Sequence, residues 1–224
     1  MTKAIIFTDG SCYGNGKNNA VAGYGIHFLM KGFNDISEPL IKKPFTNQRA
    51  ELMAIYVAIK IVLKYEQTNI PFEQITIYSD SNYSIKSLTE WGAKWENNQW
   101  NTSNGSVVKN IDIIKPMYLL YKKHKNRIIL THVYAHTGKS DLLSKHNAIA
   151  DELANDGTKK AIALMSSTST SKPRTSKPRI SNTKTLKALT LKTRNKISSK
   201  KISSKKIISN KHRILKINFT NDNK

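Results

Sequence analysis

Cysteine is almost missing from this chain. The single thiol, Cys12, rules out an intrachain disulfide and fits a reducing compartment. Acids are scarce too: 15 Asp and Glu stand against 37 Lys and Arg, a formal charge of +22 over 224 residues. Long apolar runs are lacking, and nothing approaches the roughly 20 residues needed to span a bilayer. The opening MTKAIIFTDG has too short an apolar run for a signal peptide. No P-loop and no Ser-His-Asp motif is present. These absences lead us to expect an intracellular, soluble protein, cytoplasmic or nuclear. The excess of base calls for a polyanionic partner, either nucleic acid or an anionic membrane surface.

The base is unevenly spread. Residues 1–160 hold 20 Lys and Arg against 14 acids, whereas residues 161–224 hold 17 against one, Asp222. From about Ser166 the composition shifts. SKPR repeats at 171–174 and 176–179, and KISSK at 196–200 and 201–205, with few apolar residues between. This predicts a domain over 1–160 and a basic, low-complexity, disordered tail over 161–224. The tail reads either as a solvated appendage or as a non-specific nucleic-acid anchor. Its Lys205-Lys206 and Lys211-His212-Arg213 clusters are weak nuclear-targeting signals. A membrane-anchor reading ranks last, because the tail's one aromatic is Phe219 and no lipidation motif is present.

Within the first 160 residues the periodicity alternates between strand and helix. Lys3–Thr8, Val21–Met30 and Ile36–Lys42 read as a three-strand antiparallel meander. A long helix is predicted over 47–66, with Asn47 as its N-cap. Gln74–Tyr78 is a fourth strand, followed by a helix capped by Ser81. Val107–Lys125 is helical, with Pro116 expected to break or kink it. Arg127–Tyr134 is a fifth strand, and a last helix spans about 147–158. The order argues for an α/β fold with a mixed sheet flanked by helices.

Four acids stand out against this pattern. Asp9 and Asp80 each close a strand that reads as central, where open α/β sheets bind ligands. Glu51 lies one turn into the long helix between apolar neighbours, a costly place for an unpaired carboxylate. Asp151 lies near the start of the last helix. If the two strands are neighbours, all four acids converge, and they cannot all stay ionised without cations. Oxygen ligands without Cys or paired His favour magnesium or manganese over zinc. Two such ions, roughly 3.5–4 Å apart, suit in-line displacement at phosphorus.

FTDGSCYGNG, TNQRAEL, YSDSNY, HTG and NAIADELA, in that order and at suitable spacing, resemble type-1 ribonuclease H, a family that cuts the RNA strand of RNA–DNA hybrids. The resemblance implies a ribonuclease H-like fold with a five-stranded mixed sheet over residues 1–160. It implies a two-metal mechanism with Asp9, Glu51, Asp80 and Asp151 as ligands, leaving 5′-phosphate and 3′-hydroxyl ends. His136 matches a histidine that assists metal exchange and product release. Asn15, Asn47 and Gln48 match minor-groove contacts, where 2′-hydroxyls are displayed. Thr46 and Asn110 match a pocket for a DNA-strand phosphate. Trp95 and Ser103 match DNA-strand contacts of a substrate handle that also holds Trp91 and Trp100, for which core packing is expected.

Three departures accompany the resemblance. The handle, Lys94-Trp95-Glu96-Asn97-Asn98, is poor in base. Pro44 stands where the phosphate pocket often has an arginine, with Lys43 beside it. The loop from His136 to Asp151 is longer than usual and adds Asp141 and His146. The leading expectation is a hybrid-cutting, monomeric enzyme. The rivals are a hybrid- or RNA-binding module and a DNA-end nuclease or recombinase of the same fold. The Lys-, Asn- and Ile-rich usage is compatible with an AT-rich, viral genome.

Overall fold

The computed structural model describes residues 2–134 and 141–169. The expectation for His136, and that for the tail beyond 169, lie outside the described residues.

Eleven segments of regular structure follow in chain order. They are β1 (Lys3–Tyr13), β2 (Val21–Phe28), β3 (Ile36–Pro39), α1 (Asn47–Tyr65), β4 (Gln74–Ser79), α2 (Asn82–Lys86), a π-helical turn (Ser87–Trp91), α3 (Gly92–Asn97), α4 (Ile111–His124), β5 (Ile128–His132) and α5 (Leu142–Ser169). The sheet order is β3-β2-β1-β4-β5. The first three strands pair antiparallel, while β4 and β5 run parallel to β1. This is the expected five-stranded mixed sheet. No described helix is long and apolar enough to cross a membrane.

Several boundaries differ from expectation, each for a local reason. β1 does not stop at Thr8: Asp9 to Tyr13 go on pairing with Gly25 to Val21 of β2. Asp9 is therefore the point where the parallel partner ends and the antiparallel one continues. The cap of α1 is Thr46, not Asn47. Thr46 is extended, with φ −141° and ψ 155°, and its side chain accepts from the Arg49 N–H at 3.3 Å. α4 starts at Ile111 because Asn110 sits at φ 61°, outside the helical range. Pro116 does not end that helix, whose Ile113, Ile114, Met117 and Tyr118 are buried. α5 begins well before Asn147, because the Asp141 carboxylate accepts from the Ser144 N–H at 3.0 Å as an N-cap does. It also runs on past 160 to Ser169.

The main core lies between the sheet and the α1–α4 layer. Ile6, Ile26, Leu52, Ile55, Ile75, Ile77, Ile114 and Met117 are fully buried there, each worth ~1.5–3 kcal/mol of transfer free energy. Two close approaches set the helices against β1 and β2. A Cβ on Gly10 would lie 2.2 Å from the backbone nitrogen of Glu51. One on Gly25 would lie 2.3 Å from the carbonyl oxygen of Ala150 and 2.5 Å from the nitrogen of Ala154. Successive residues of a strand face opposite sides, whereas directly paired ones share a side. Gly25 pairs with Asp9, so Gly10 and Gly25 address opposite faces. Only glycine lets α1 and α5 sit this close, and both helices carry an acid at the contact.

Candidate active site

Asp9 and Asp80 are placed by register. Thr8 of β1 is opposite Ser79 of β4; Asp9 follows Thr8 on β1, and Asp80 follows Ser79 just past the end of β4. Glu51 reaches the same point from α1 through the Gly10 contact, and Asp151 through the Gly25 contact, where it follows Ala150. Their mutual repulsion registers on Asp9, which is 7% exposed. Burial, the Asp80 charge, and then Asp151 and Glu51 push its carboxyl up to about 8, while the Gly10 N–H, 2.7 Å from Oδ1, pulls the other way. Asp80, Asp151 and Glu51 all lie close enough to act on the Asp9 carboxyl.

Glu51 is held from two sides. The Asn47 side-chain amide donates to Oε1 at 2.6 Å, and the Ser81 hydroxyl donates to Oε2. Burial raises its carboxyl, these two hydrogen bonds lower it, and the Asp80 charge raises it further. The partners of a half-buried acid are thus neutral donors, not a cationic side chain. Asp151 accepts from the Asn155 amide at 3.1 Å. The Asp80 carbonyl accepts from His132 Nε2 at 3.1 Å.

The donor set fits a hard divalent cation: four carboxylates, with no thiol, around Asp9, whose carboxyl burial and three like charges raise. Among the described residues, no three or more Asp, Glu, His or Cys side chains are arranged so that they could hold a metal ion as they stand.

A model of the RNase H family matches residues 1–159. The chain belongs to the RNase H family. Among curated relatives, a ribonuclease H of Schizosaccharomyces pombe is 46% identical over 112 residues, which cover 50% of this chain and 39% of that protein. A ribonuclease H of Clostridium botulinum is 36% identical over 160 residues, covering 70% of this chain and 95% of that protein. Among solved structures, the PFV RNase H domain superposes with a TM-score of 0.59 at 25% identity, covering 71% of this chain and 96% of that one. A foamy viral protease–reverse transcriptase in complex with RNA/DNA hybrid superposes at 0.57 with 23% identity, over 71% of this chain and 20% of that one, and speaks for the fold alone.

Beside the acids, the RNase H domain gathers the other expected residues in two places. Asn15 is exposed on the turn after β1, and its Oδ1 accepts from the Asn47 N–H at 3.4 Å, so Asn15, Asn47 and the half-buried Gln48 share the mouth of α1. Thr46 and Asn110 lie on either side of Arg49. Thr46 Oγ1 caps its N–H, and Asn110 Oδ1 accepts from Nη1 at 3.4 Å. Asn110 also donates to the Tyr83 hydroxyl at 3.2 Å. Lys42, not Lys43, is the lysine joined to this group, 3.2 Å from Asp112, while Lys43 lies over the Phe45 ring.

The aromatic segment divides. Trp100 is buried with its ring edge-on to Tyr118, as core packing predicts. Trp91 and Trp95 are half-buried with ring centroids 5.6 Å apart, so Trp91 is less enclosed than expected. Ser103 is exposed.

Three side-chain roles escaped the sequence reading. Arg49 is 2% exposed and forks onto Asp112 at 2.7 and 2.8 Å. Its place three residues after Thr46 was a capping signal. Ser81 holds Glu51 as well as capping α2, and Asn155 lies one helical turn after Asp151. The i,i+4 spacing of Asp151 and Asn155 was available as a signal; the Ser81–Glu51 bond is a tertiary contact without one.

Proposed function

We propose that residues 1–160 form a ribonuclease H catalytic domain, an endonuclease that hydrolyses the RNA strand of RNA–DNA hybrids and leaves 5′-phosphate and 3′-hydroxyl ends. This reading is carried by the RNase H family match over residues 1–159, and is supported by the strand register that sets Asp9 next to Asp80 and by the like charges of Glu51 and Asp151 that act on the buried Asp9. A buried cluster of like charges is costly to keep, and it is economical in a site that takes up cations. When bound, two magnesium ions, or manganese, held by Asp9, Glu51, Asp80 and Asp151 supply an activated water and stabilisation of the leaving oxygen.

The chain's own residues orient these ligands and the substrate. Asn47 and Ser81 hold the Glu51 carboxylate from opposite oxygens. Asn15, Asn47 and Gln48 sit together at the mouth of α1 to meet the minor groove, where a 2′-hydroxyl separates RNA from DNA. Thr46 and Asn110, backed by Arg49, take a DNA-strand phosphate. Trp95 and Ser103 extend the DNA-strand contacts, and His136 assists release. Selection is by backbone shape, so sequence preference is low. The basic tail adds non-specific phosphate contacts, and the enzyme acts as a monomer inside the cell.

The test is cleavage of end-labelled RNA–DNA hybrid, RNA duplex and DNA duplex in magnesium, wild type beside Asp80→Asn. Wild-type cutting of the hybrid's RNA strand, abolished by the substitution and by chelator, is the expected result. Tight hybrid binding without cutting by either protein overturns the catalytic reading and leaves a binding module. Cutting of duplex DNA favours the DNA-end nuclease.

A further inference from the structure

A hydrogen-bonded chain connects β1 to Asp151 through two residues that the proposed mechanism does not use. Ser11 lies two positions beyond Asp9 on β1. Its hydroxyl donates to Asn155 Oδ1 at 2.6 Å, and the Asn155 amide nitrogen donates to Asp151 Oδ1 at 3.1 Å. The Ser11 carbonyl in turn accepts from Thr158 Oγ1 at 3.1 Å. The serine is therefore tied to α5 through both backbone and side chain, and the asparagine is tied at both ends of its amide.

The direction of these bonds matters. An asparagine amide has one accepting end and one donating end. With the Ser11 hydroxyl donating to its oxygen, the NH₂ is turned toward Asp151. The reverse orientation would set the amide oxygen against a carboxylate. Asp151 needs such a partner. It is half-exposed, and it shares a field with Asp9. Like-charge repulsion favours any rotamer that swings it out to solvent. A neutral amide one helical turn away restrains the carboxylate without adding positive charge that would compete with a cation.

We propose that Asn155, oriented by Ser11, is a positioning residue that keeps Asp151 in its cation-binding rotamer. The proposal rests on the reading of Asp151 as a metal ligand. Partners that orient a metal ligand from behind commonly change metal affinity by about 10-fold or more when removed. Asn155→Ala therefore weakens magnesium binding by about that factor, and Ser11→Ala by less, since the amide is then present but free to turn. The two changes act on one chain, so the double variant resembles Asn155→Ala alone. Asn155→Gln, long enough to donate from the same helical position, restores part of the affinity.

Calorimetric titration of the full-length protein with magnesium chloride, without substrate, tests this. The series is wild type, Ser11→Ala, Asn155→Ala, Asn155→Gln and Asp151→Asn, with thermal unfolding in chelator measured alongside. The expected result is an affinity loss in Asn155→Ala with the melting temperature in chelator unchanged, and partial recovery in Asn155→Gln. If Asp151→Asn loses affinity while Asn155→Ala keeps it, the positioning role is wrong and the metal site stands. If Asp151→Asn also binds as wild type, the ligand assignment of Asp151 fails and this proposal falls with it. An affinity loss matched by a lower melting temperature in chelator, unrescued by Gln, makes Asn155 a stabilising residue only and overturns the proposal.

Discussion

Nε2 of His27 lies 3.0 Å from Nδ1 of His146, joining the end of β2 to the first turns of α5. Nδ1 of His27 faces Asp35 Oδ2 at 2.8 Å, and Asp35 Oδ1 accepts from the Phe28 N–H at 2.9 Å. The His146 ring packs on Phe7 and, nearly parallel, on His27. By sequence His146 belonged to a lengthened loop. In the fold it is a helical residue that fastens α5 to the sheet. Two imidazoles sharing an N···N contact hold one proton between them, not two.

That pairing predicts an acid-sensitive latch. Burial, and then the His27 charge, lower His146 below its ordinary range. A histidine lowered in the folded state contributes stability that is present above its unfolded value near 6.5. That stability is lost as pH falls through the lower folded value. The melting temperature is expected to drop on going from pH 7 to pH 5, and His146→Gln to flatten that drop. An equal slope in both proteins would show that another group sets it.

Asp9 predicts a trade between stability and activity. Its carboxyl is raised to about 8, so its contribution to stability is full below about 3.8 and is lost as pH rises toward 8. Near neutral pH and in chelator the folded state holds this charge cluster at a cost. Asp9→Asn is expected to raise the melting temperature there by ~2–4 °C, the size of about 1 kcal/mol in a domain of this length, while abolishing cleavage. Scanning calorimetry at pH 8 in chelator checks it. A lower melting temperature for the variant would mean that the cluster is not repulsive.

Arg49 is a buried cation, 2% exposed. It forks onto Asp112, which its hydrogen bonds hold down to about 2, with help from Lys42. A depressed carboxylate contributes stability above its unfolded value near 3.8 and loses it as pH falls toward 2. Arg49→Ala is expected to cost ~2–4 kcal/mol in urea unfolding, below the upper end for a fully buried pair because Asp112 is about one-third exposed. Arg49→Lys keeps the charge but loses the fork, and falls between. A change under ~0.5 kcal/mol for Arg49→Ala would remove the pair from the stability account.

The tail predicts a salt effect. Residues 170–224 hold all 17 of the Lys and Arg that follow position 160. Each phosphate contact they make steepens the fall of affinity with salt. Truncation after Ser169 is expected to raise KM for hybrid at ~50 mM salt by about 10-fold, to flatten its salt dependence, and to leave kcat within about 2-fold. Unchanged KM and slope would mark the tail as no part of substrate binding.

Much of the fold was legible because its period is local. The alternation of the strands, the 3.6-residue stripe of α1 and the acids after β1 and β4 are all readable from neighbours in the chain. Helix starts were harder. Thr46, Asn110 and Asp141 decide where α1, α4 and α5 begin through a cap bond or a left-handed φ. Several residues compete for such a place, and propensity ranks them only weakly.

The sequence by itself determined the family and the sheet and singled out the four acids, because five motifs in order constrain chemistry without reference to coordinates. Tertiary structure alone decided how those acids are held. The β1–β4 register places Asp9 beside Asp80. Two missing Cβ atoms let Glu51 and Asp151 approach, and Ser81, Asn47 and Asn155 satisfy the carboxylates. It also turned His146 from a loop residue into a partner of His27, 119 positions away. Hydrogen bonds between distant residues leave no periodic trace in the chain. Burial, which sets the charge state of Asp9, exists only once the helices have packed.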